Sequence, residues 1–359
     1  MKNIIGILLF LLSSCSLFTQ SDDTWQVFFN QDSTLVGFKN KNGVEKIKPK
    51  FDPMYSKQKF ENIIYVLERV DGSLMGYFLT KSGEKIENLS SYIDHYQFDC
   101  ETEGFIRFTD LETEKIGLLD KNGTIVIPAM YDEISNVRNG LLMARANGEK
   151  VNLDSKESEP FFSGGDEMLI NTKNEVLIDH FPLNEDLNYY SLEISKTANK
   201  SPIRKSFLAK DGLYYSFIDY LTEFKEWFKN EFLGQVSVDK LTDNLLKNIR
   251  YSSIDGMKKE KSTVFLANNK KLLEKTFLEL KSPKVEFNYS NVFFENYRND
   301  ADFERYFNNC GIPNEAQYPL FSISTIDKEN RKPPNSYSFL RTENGYKLIE
   351  IRLNSGILK

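Results

Sequence analysis

Three stretches of this chain repeat one another, and that self-similarity constrains the fold more than anything else in it. Gly37-Phe38-Lys39-Asn40-Lys41-Asn42-Gly43, Gly76-Tyr77-Phe78-Leu79-Thr80-Lys81-Ser82-Gly83 and Gly117-Leu118-Leu119-Asp120-Lys121-Asn122-Gly123 begin 39 and 41 residues apart. Each runs from an apolar strand into a lysine-bearing turn whose glycine supplies positive φ, then into a second short strand at 44–47, 84–86 or 124–127. An aromatic and an acid follow (Phe51-Asp52, Tyr92 with Asp94, Tyr131-Asp132), and each unit closes on an apolar strand at 62–66, 104–108 or 140–144. A unit this short cannot bury its apolar face alone and must stack on its neighbours. The expectation is an all-β array, either open and solenoid-like or closed as a small propeller. Later copies decay, at 151–154 and 169–174, which favours the open array over a ring of equal blades.

The third unit, from Ile116 to Lys150, resembles the WG-repeat family of bacterial proteins. It has the family's glycine, Asp-Lys-Asn-Gly turn, Ile-Pro pair, Tyr-Asp pair and Gly-Leu strand in order, and the resemblance extends over about residues 30–182. The tryptophan that names the family is Val36, Met75 and Ile116 here, so no role of those tryptophans carries over. The resemblance implies a binding or structural array and names no reaction.

The first residues look like a bacterial lipoprotein signal. Lys2 precedes an apolar run from Ile4 to Leu12, too short to span a bilayer, and Leu12-Ser13-Ser14-Cys15 has the form of a cleavage site at a lipidated cysteine. This implies a signal peptide at 1–14 and an acylated Cys15 at the head of a leader covering 15–29. Ser16 after the cysteine resembles the outer-membrane class in Gram-negative envelopes, with the periplasmic or surface face open. The formal net charge is −6, with both signs interleaved, so nucleic acid is not an expected partner. Expected partners are the membrane, through the anchor, and a protein or glycan; oligomeric state is open. Beyond Cys15 the cysteines are Cys100 and Cys310, which fall in different expected domains and read as two buried thiols, with a disulfide as the alternative.

After the repeats (30–182), the pattern over 183–359 changes to an α+β domain with helices packed on a C-terminal antiparallel sheet, so the whole chain is mixed α and β. Phe217, Leu221, Phe224, Phe228 and Phe232 predict a helix over 213–233 that stops at Gly234. Ser237 is read as the cap of a second helix carrying Val238, Leu241, Leu245 and Ile249, and Asn268 or Asn269 opens a third that Pro283 ends. A strand over 284–289, a short helix over 300–309 and a meander over 320–326, 337–342 and 346–353 complete the domain. The closing hairpin resembles that of cone-shaped nuclear-transport-factor-like folds over fewer than twenty residues.

The usual chemistry is sparse. The two histidines, His95 and His180, are isolated, and Asp94 and His95 would point to opposite faces of one strand, so no metal is expected there. No nucleophile elbow, zinc helix or P-loop is present, and Ser-x-x-Lys at 56, 82 and 237 lacks its companion motifs. Asp219, Glu223 and Glu226 share a helical face, read as its solvated side, and Asp300, Asp302 and Glu304 suit a helix start. Phe287, Tyr289, Phe293 and Phe294 are the candidates for lining a ligand cavity, against the reading of an aromatic core. The expected function is a tethered, non-enzymatic envelope module that binds through its repeat surface, with no cofactor. The alternatives are a carboxylate-based glycan hydrolase and a small-molecule-binding cone domain.

Overall fold

A computed structural model describes residues 24–55, 57–94, 97–151, 161–184, 186–234, 241–253, 255–281, 285–290, 297, 301–325, 335–353 and 358. The protein is mostly β, with a curled half-barrel sheet. The repeats appear as antiparallel hairpins: Val36–Lys39 with Glu45–Phe51, Ile63–Val70 with Ser73–Thr80, Ile116–Asp120 with Ile125–Tyr131, and Asp166–Asn171 with Val176–Asp179. The turns share a mechanism. The side-chain oxygens of Asn40, Asp120 and Asn171 each accept from the backbone N–H groups two and four residues on, at 2.9–3.1 Å.

Alternation along the strands explains the stacking. In Ile63–Val70, Ile64 and Val66 face one core while Ile63 and Tyr65 face the next. Leu119 points back while Ile116 and Leu118 point forward. Leu142 and Ala144 share a core with Ile170, while Leu141 and Met143 join Leu169, Ile178, Phe181 and Phe217 in another. Most hairpin sheets are therefore covered on both faces, which is why runs such as Ile63-Ile64-Tyr65-Val66 are continuously apolar. Each buried large side chain contributes roughly 1.5–3 kcal/mol, and it does so only with the neighbouring hairpin present.

The glycine of each repeat is fixed by close approach. A Cβ on Gly117 would lie 2.5 Å from the Phe108 ring and 2.6 Å from the Ile127 carbonyl oxygen, and on Gly37 2.3 Å from the Ile47 carbonyl oxygen. The opposing strand bulges at that point, where Lys48-Pro49-Lys50 or Pro128-Ala129-Met130 crosses the glycine.

The array runs further than expected. Leu187–Ser195, Arg204–Leu208 and Tyr214–Asp219 form a three-stranded sheet, and Tyr189, Phe217 and Phe207 pack with Leu141 and Leu169, so one core spans residue 182. The predicted helix over 213–233 divides here: Tyr214–Asp219 is a strand, Tyr220–Trp227 an α-helix, and Phe228–Phe232 a π-helical turn. Phe217 belongs to the core of the stack, while Phe224, Phe228 and Phe232 belong to the next. Leu245 and Ile249 lie on a strand, Leu245–Ser253, not on a second helix, because a spacing of four satisfies both the strand and the helix period. Ser237 and Val238 lie outside the described residues. The third helix is Ser262–Glu279, a full turn and more ahead of Asn268, and Asn269 is buried inside it, donating to the Phe265 carbonyl. The short helix near 300 is a 3-10 turn, Ala301–Tyr306.

The last sheet has the order Gly256–Lys261, Leu245–Ser253, Gly345–Arg352, Ser336–Thr342, Leu320–Thr325, Val285–Tyr289. Its one parallel pair is Leu245–Ser253 with Gly345–Arg352. Phe224, Phe228, Phe265, Leu273 and Phe277 meet Phe321, Ile323, Tyr337 and Phe339 over it.

Candidate functional site

Where the stack ends and the last sheet begins, the chain gathers tyrosines, carboxylates and Arg341. Strand Tyr214–Asp219 delivers Asp219 as the N-cap of the following helix; its Oδ1 accepts from Thr222 N at 2.8 Å and its Oδ2 pairs with Lys205 Nζ at 2.5 Å. Burial pushes this carboxyl up, but Lys205 and the Thr222 donors outweigh it and hold it below the ordinary range. One turn on, Glu223 accepts from Arg341 Nε and Nη2 at 2.8 and 3.3 Å and from the Tyr346 hydroxyl at 2.7 Å. The Arg341 guanidinium also lies 5.1 Å from the centre of the Tyr220 ring, and Tyr220 donates to the Ala316 carbonyl at 2.8 Å.

Around Tyr220 stand further phenols. Tyr190 donates to Glu103 Oε1 at 3.0 Å, and Glu103 also accepts the backbone N–H groups of Asn139 and Gly140 at 2.7 and 2.9 Å. Tyr318 donates to Glu343 at 2.9 Å and is pushed up to about 12, by burial first and then by that carboxylate. Tyr190, Tyr220, Tyr289 and Tyr346 are likewise raised by burial, with Glu103 adding at Tyr190, Asp186 and Asp219 at Tyr289, and Glu223 at Tyr220 and Tyr346. These phenols stay protonated at any physiological pH and serve as donors. Asp219 and Glu223 are acceptors held by Lys205 and Arg341, an arrangement suited to holding a polar partner or the seam itself.

Of the expected cavity residues, Tyr289 comes to this seam. It is 39 % exposed, with its ring 4.8 Å from that of Phe321. Phe287, two residues earlier on the same edge strand, packs 5.9 Å from Phe224 and 5.6 Å from Phe228 as part of the core. Phe293, Phe294, Cys15, His95 and Asp300 lie outside the described residues. His180 sits exposed in a turn with φ 54°. Asp219 and Glu223 come together at the seam, whereas Glu226 is half-buried and accepts from Asn230. Among the described residues, no three His, Cys, Asp or Glu side chains gather to hold a metal ion.

Cys100 and Cys310 are joined in a disulfide, against the expected pair of thiols. The reason lies in the fold: residues 304–311 return to Lys59, Glu61 and Cys100, ahead of the second and third hairpins. Lys59 pairs with Glu304 at 2.9 Å, Asn309 donates to Glu61 at 2.5 Å, and Lys59 N donates to the Asn309 carbonyl at 3.1 Å. Beside the bridge, Glu101 accepts from Asn62 N and Ile63 N, and burial pushes its carboxyl up despite those donors. Next to it, Arg107 Nη2 meets Asp99 at 2.6 Å, with both side chains buried. Sequence reading missed the seam because its members are scattered from Glu103 to Tyr346. One usable signal was overlooked: Lys210-Asp211-Gly212 repeats the turn motif and announces a further hairpin.

Among proteins of known type, no curated sequence and no solved structure matches this chain. Residues 116–149 match the WG containing repeat family, and the chain carries WG-like repeats.

Proposed function

We propose that this protein is an envelope lipoprotein, anchored through Cys15, that works as a non-enzymatic binding module: the stacked hairpins present the surface and the C-terminal α+β part braces it. The Cys100–Cys310 bridge carries the reading, since a disulfide belongs to an oxidising compartment outside the cytosol and ties distant parts of the chain together. The carboxylates at the seam add support. Asp219 is held by Lys205 below the ordinary carboxylate range, the wrong direction for the general acid of a glycan hydrolase, and Glu223 is engaged by Arg341 and Tyr346.

The test is made in the producing cell. Wild type incorporates labelled fatty acid and fractionates with the envelope, and Cys15→Ala does neither; a pull-down from solubilised envelopes returns a defined protein or glycan. Hydrolase activity lost in Asp219→Asn or Glu223→Gln, with the fold intact, overturns the non-enzymatic reading.

A further inference from the structure

Lysines gather in the first hairpin. Between Val36 and Phe51 the chain carries Lys39, Lys41, Lys46, Lys48 and Lys50 against a single acid, Glu45, in a protein of formal net charge −6. Lys41, Lys46 and Lys48 are exposed, and Lys39 and Lys50 are half-buried. Folding adds two more lysines from the next hairpin. Lys46 and Lys81 lie 5.9 and 5.2 Å from the centre of the Trp25 ring, and Lys50 and Lys85 converge on Glu68 at 3.1 and 3.4 Å. The seven ammonium groups thus belong to the hairpins that enclose the first core, at the start of the stack.

That end is also where the leader enters. Trp25 opens the first strand, which pairs with Val36–Lys39 so that Gln26 faces Lys39. Cys15 to Asp23 is nine residues, whose contour is at most about 30 Å. We propose that this lysine-rimmed end of the stack docks on the anionic headgroups of the membrane that carries the anchor. The inference rests on the anchored reading for the leader's short reach, while the charge stands by itself. Lysine attraction to an anionic surface acts within a Debye length of about 8–10 Å, so it operates only on groups held near the bilayer. The acidic remainder of the protein is repelled by the same surface, which turns the first hairpin inward and the rest of the stack outward.

The experiment uses the mature chain from residue 15 with Cys15→Ala, so that no acyl chain contributes, in sedimentation with phosphatidylcholine vesicles with and without phosphatidylglycerol. The protein is expected to pellet with the anionic vesicles only, and less so as salt is raised. Lys46→Gln with Lys48→Gln and Lys50→Gln lowers the partition by roughly a hundredfold at low salt. Lys258→Gln with Lys259→Gln and Lys261→Gln, the same loss of charge on the far edge strand Gly256–Lys261, leaves it within about threefold. Unchanged urea midpoints establish that both triple variants are folded. Equal binding to both vesicle types, or an equal loss in the two triple variants, overturns the docking face and leaves the anchor untouched. A Cys15→Ala chain that still carries fatty acid in cells overturns the anchor and leaves the vesicle result standing.

Discussion

Opening the Cys100–Cys310 bridge is the sharpest perturbation the fold offers. The cysteines are 210 residues apart, and the chain-entropy relation gives about 5 kcal/mol for closing a loop of that length in the unfolded state. What holds the strap after Cys100→Ala with Cys310→Ala includes Lys59 with Glu304, Asn309 with Glu61 and a backbone hydrogen bond from Lys59 N, each contributing about 1 kcal/mol. Truncating the buried Cys100 adds a small cavity on top. The two tryptophans report the two ends, Trp25 in the first core and Trp227 beside the last. Urea unfolding is followed by fluorescence in Trp25→Phe and Trp227→Phe backgrounds, with Cys15→Ala throughout. The bridged protein should give one coincident transition; the opened protein should have a lower midpoint and a larger m-value, because its unfolded state is less compact. Coincident curves with and without the bridge, together with two free thiols titrated in the denatured, unreduced protein, refute the reasoning.

Gly117→Ala should cost about 2 kcal/mol in urea unfolding, because its Cβ meets the Phe108 ring and the Ile127 carbonyl. Arg107→Ala strands the buried Asp99 carboxylate, and a loss of about 3–5 kcal/mol is expected in the same assay. Glu350, buried in the last sheet, is raised above the ordinary carboxylate range by burial, despite Arg352 and Arg250. A raised folded pKa contributes stability below the unfolded value, near 4.3, and loses it as pH rises through the folded value. Glu350→Gln should therefore melt higher than wild type at pH 7, with the gain shrinking to nothing in acid; a lower melting temperature at neutral pH contradicts this. Asp219 has the opposite sign: its depressed pKa gives stability above the unfolded value near 3.9, lost as pH falls through the folded one. Asp219→Asn should cost stability at pH 7, and the cost should disappear in a melt below that range.

The repeats were legible because their signals are local. A turn acceptor at Asn40 or Asp120, a glycine three residues on and alternating strands all act within a few residues. The terminal meander was legible for the same reason, with Asn344-Gly345 as its turn and Gly345 at φ 81°. The middle of the chain was not. Between Tyr215 and Ile249 the apolar spacings of two and four fit strand and helix alike, and only the identity of the facing core decides: Phe217 belongs to the stack and Phe224 to the last sheet. The seam was invisible for a different reason. Glu103, Tyr190, Glu223 and Arg341 each resemble an ordinary surface residue, and they acquire partners only when segments 87 and 118 residues apart meet.

The same geometry bears on how the protein presents its surface. The last sheet meets the stack twice, at its end through Asp219 and the helix that follows, and near its start through Cys310 and Asn309. A stack held only by neighbour-to-neighbour cores would flex cumulatively along its length. Fixing a late segment to Lys59, Glu61 and Cys100 removes that freedom, because bending between Glu61 and Tyr220 would have to break the strap or the seam. Rigidity of this kind lowers the entropic cost of engaging a partner over several hairpins at once. Under the proposed binding role the bridge and the binding surface are coupled: opening Cys100–Cys310 should weaken partner capture. A bridge-free protein that captures the same partner with undiminished affinity would confine the disulfide to stability alone.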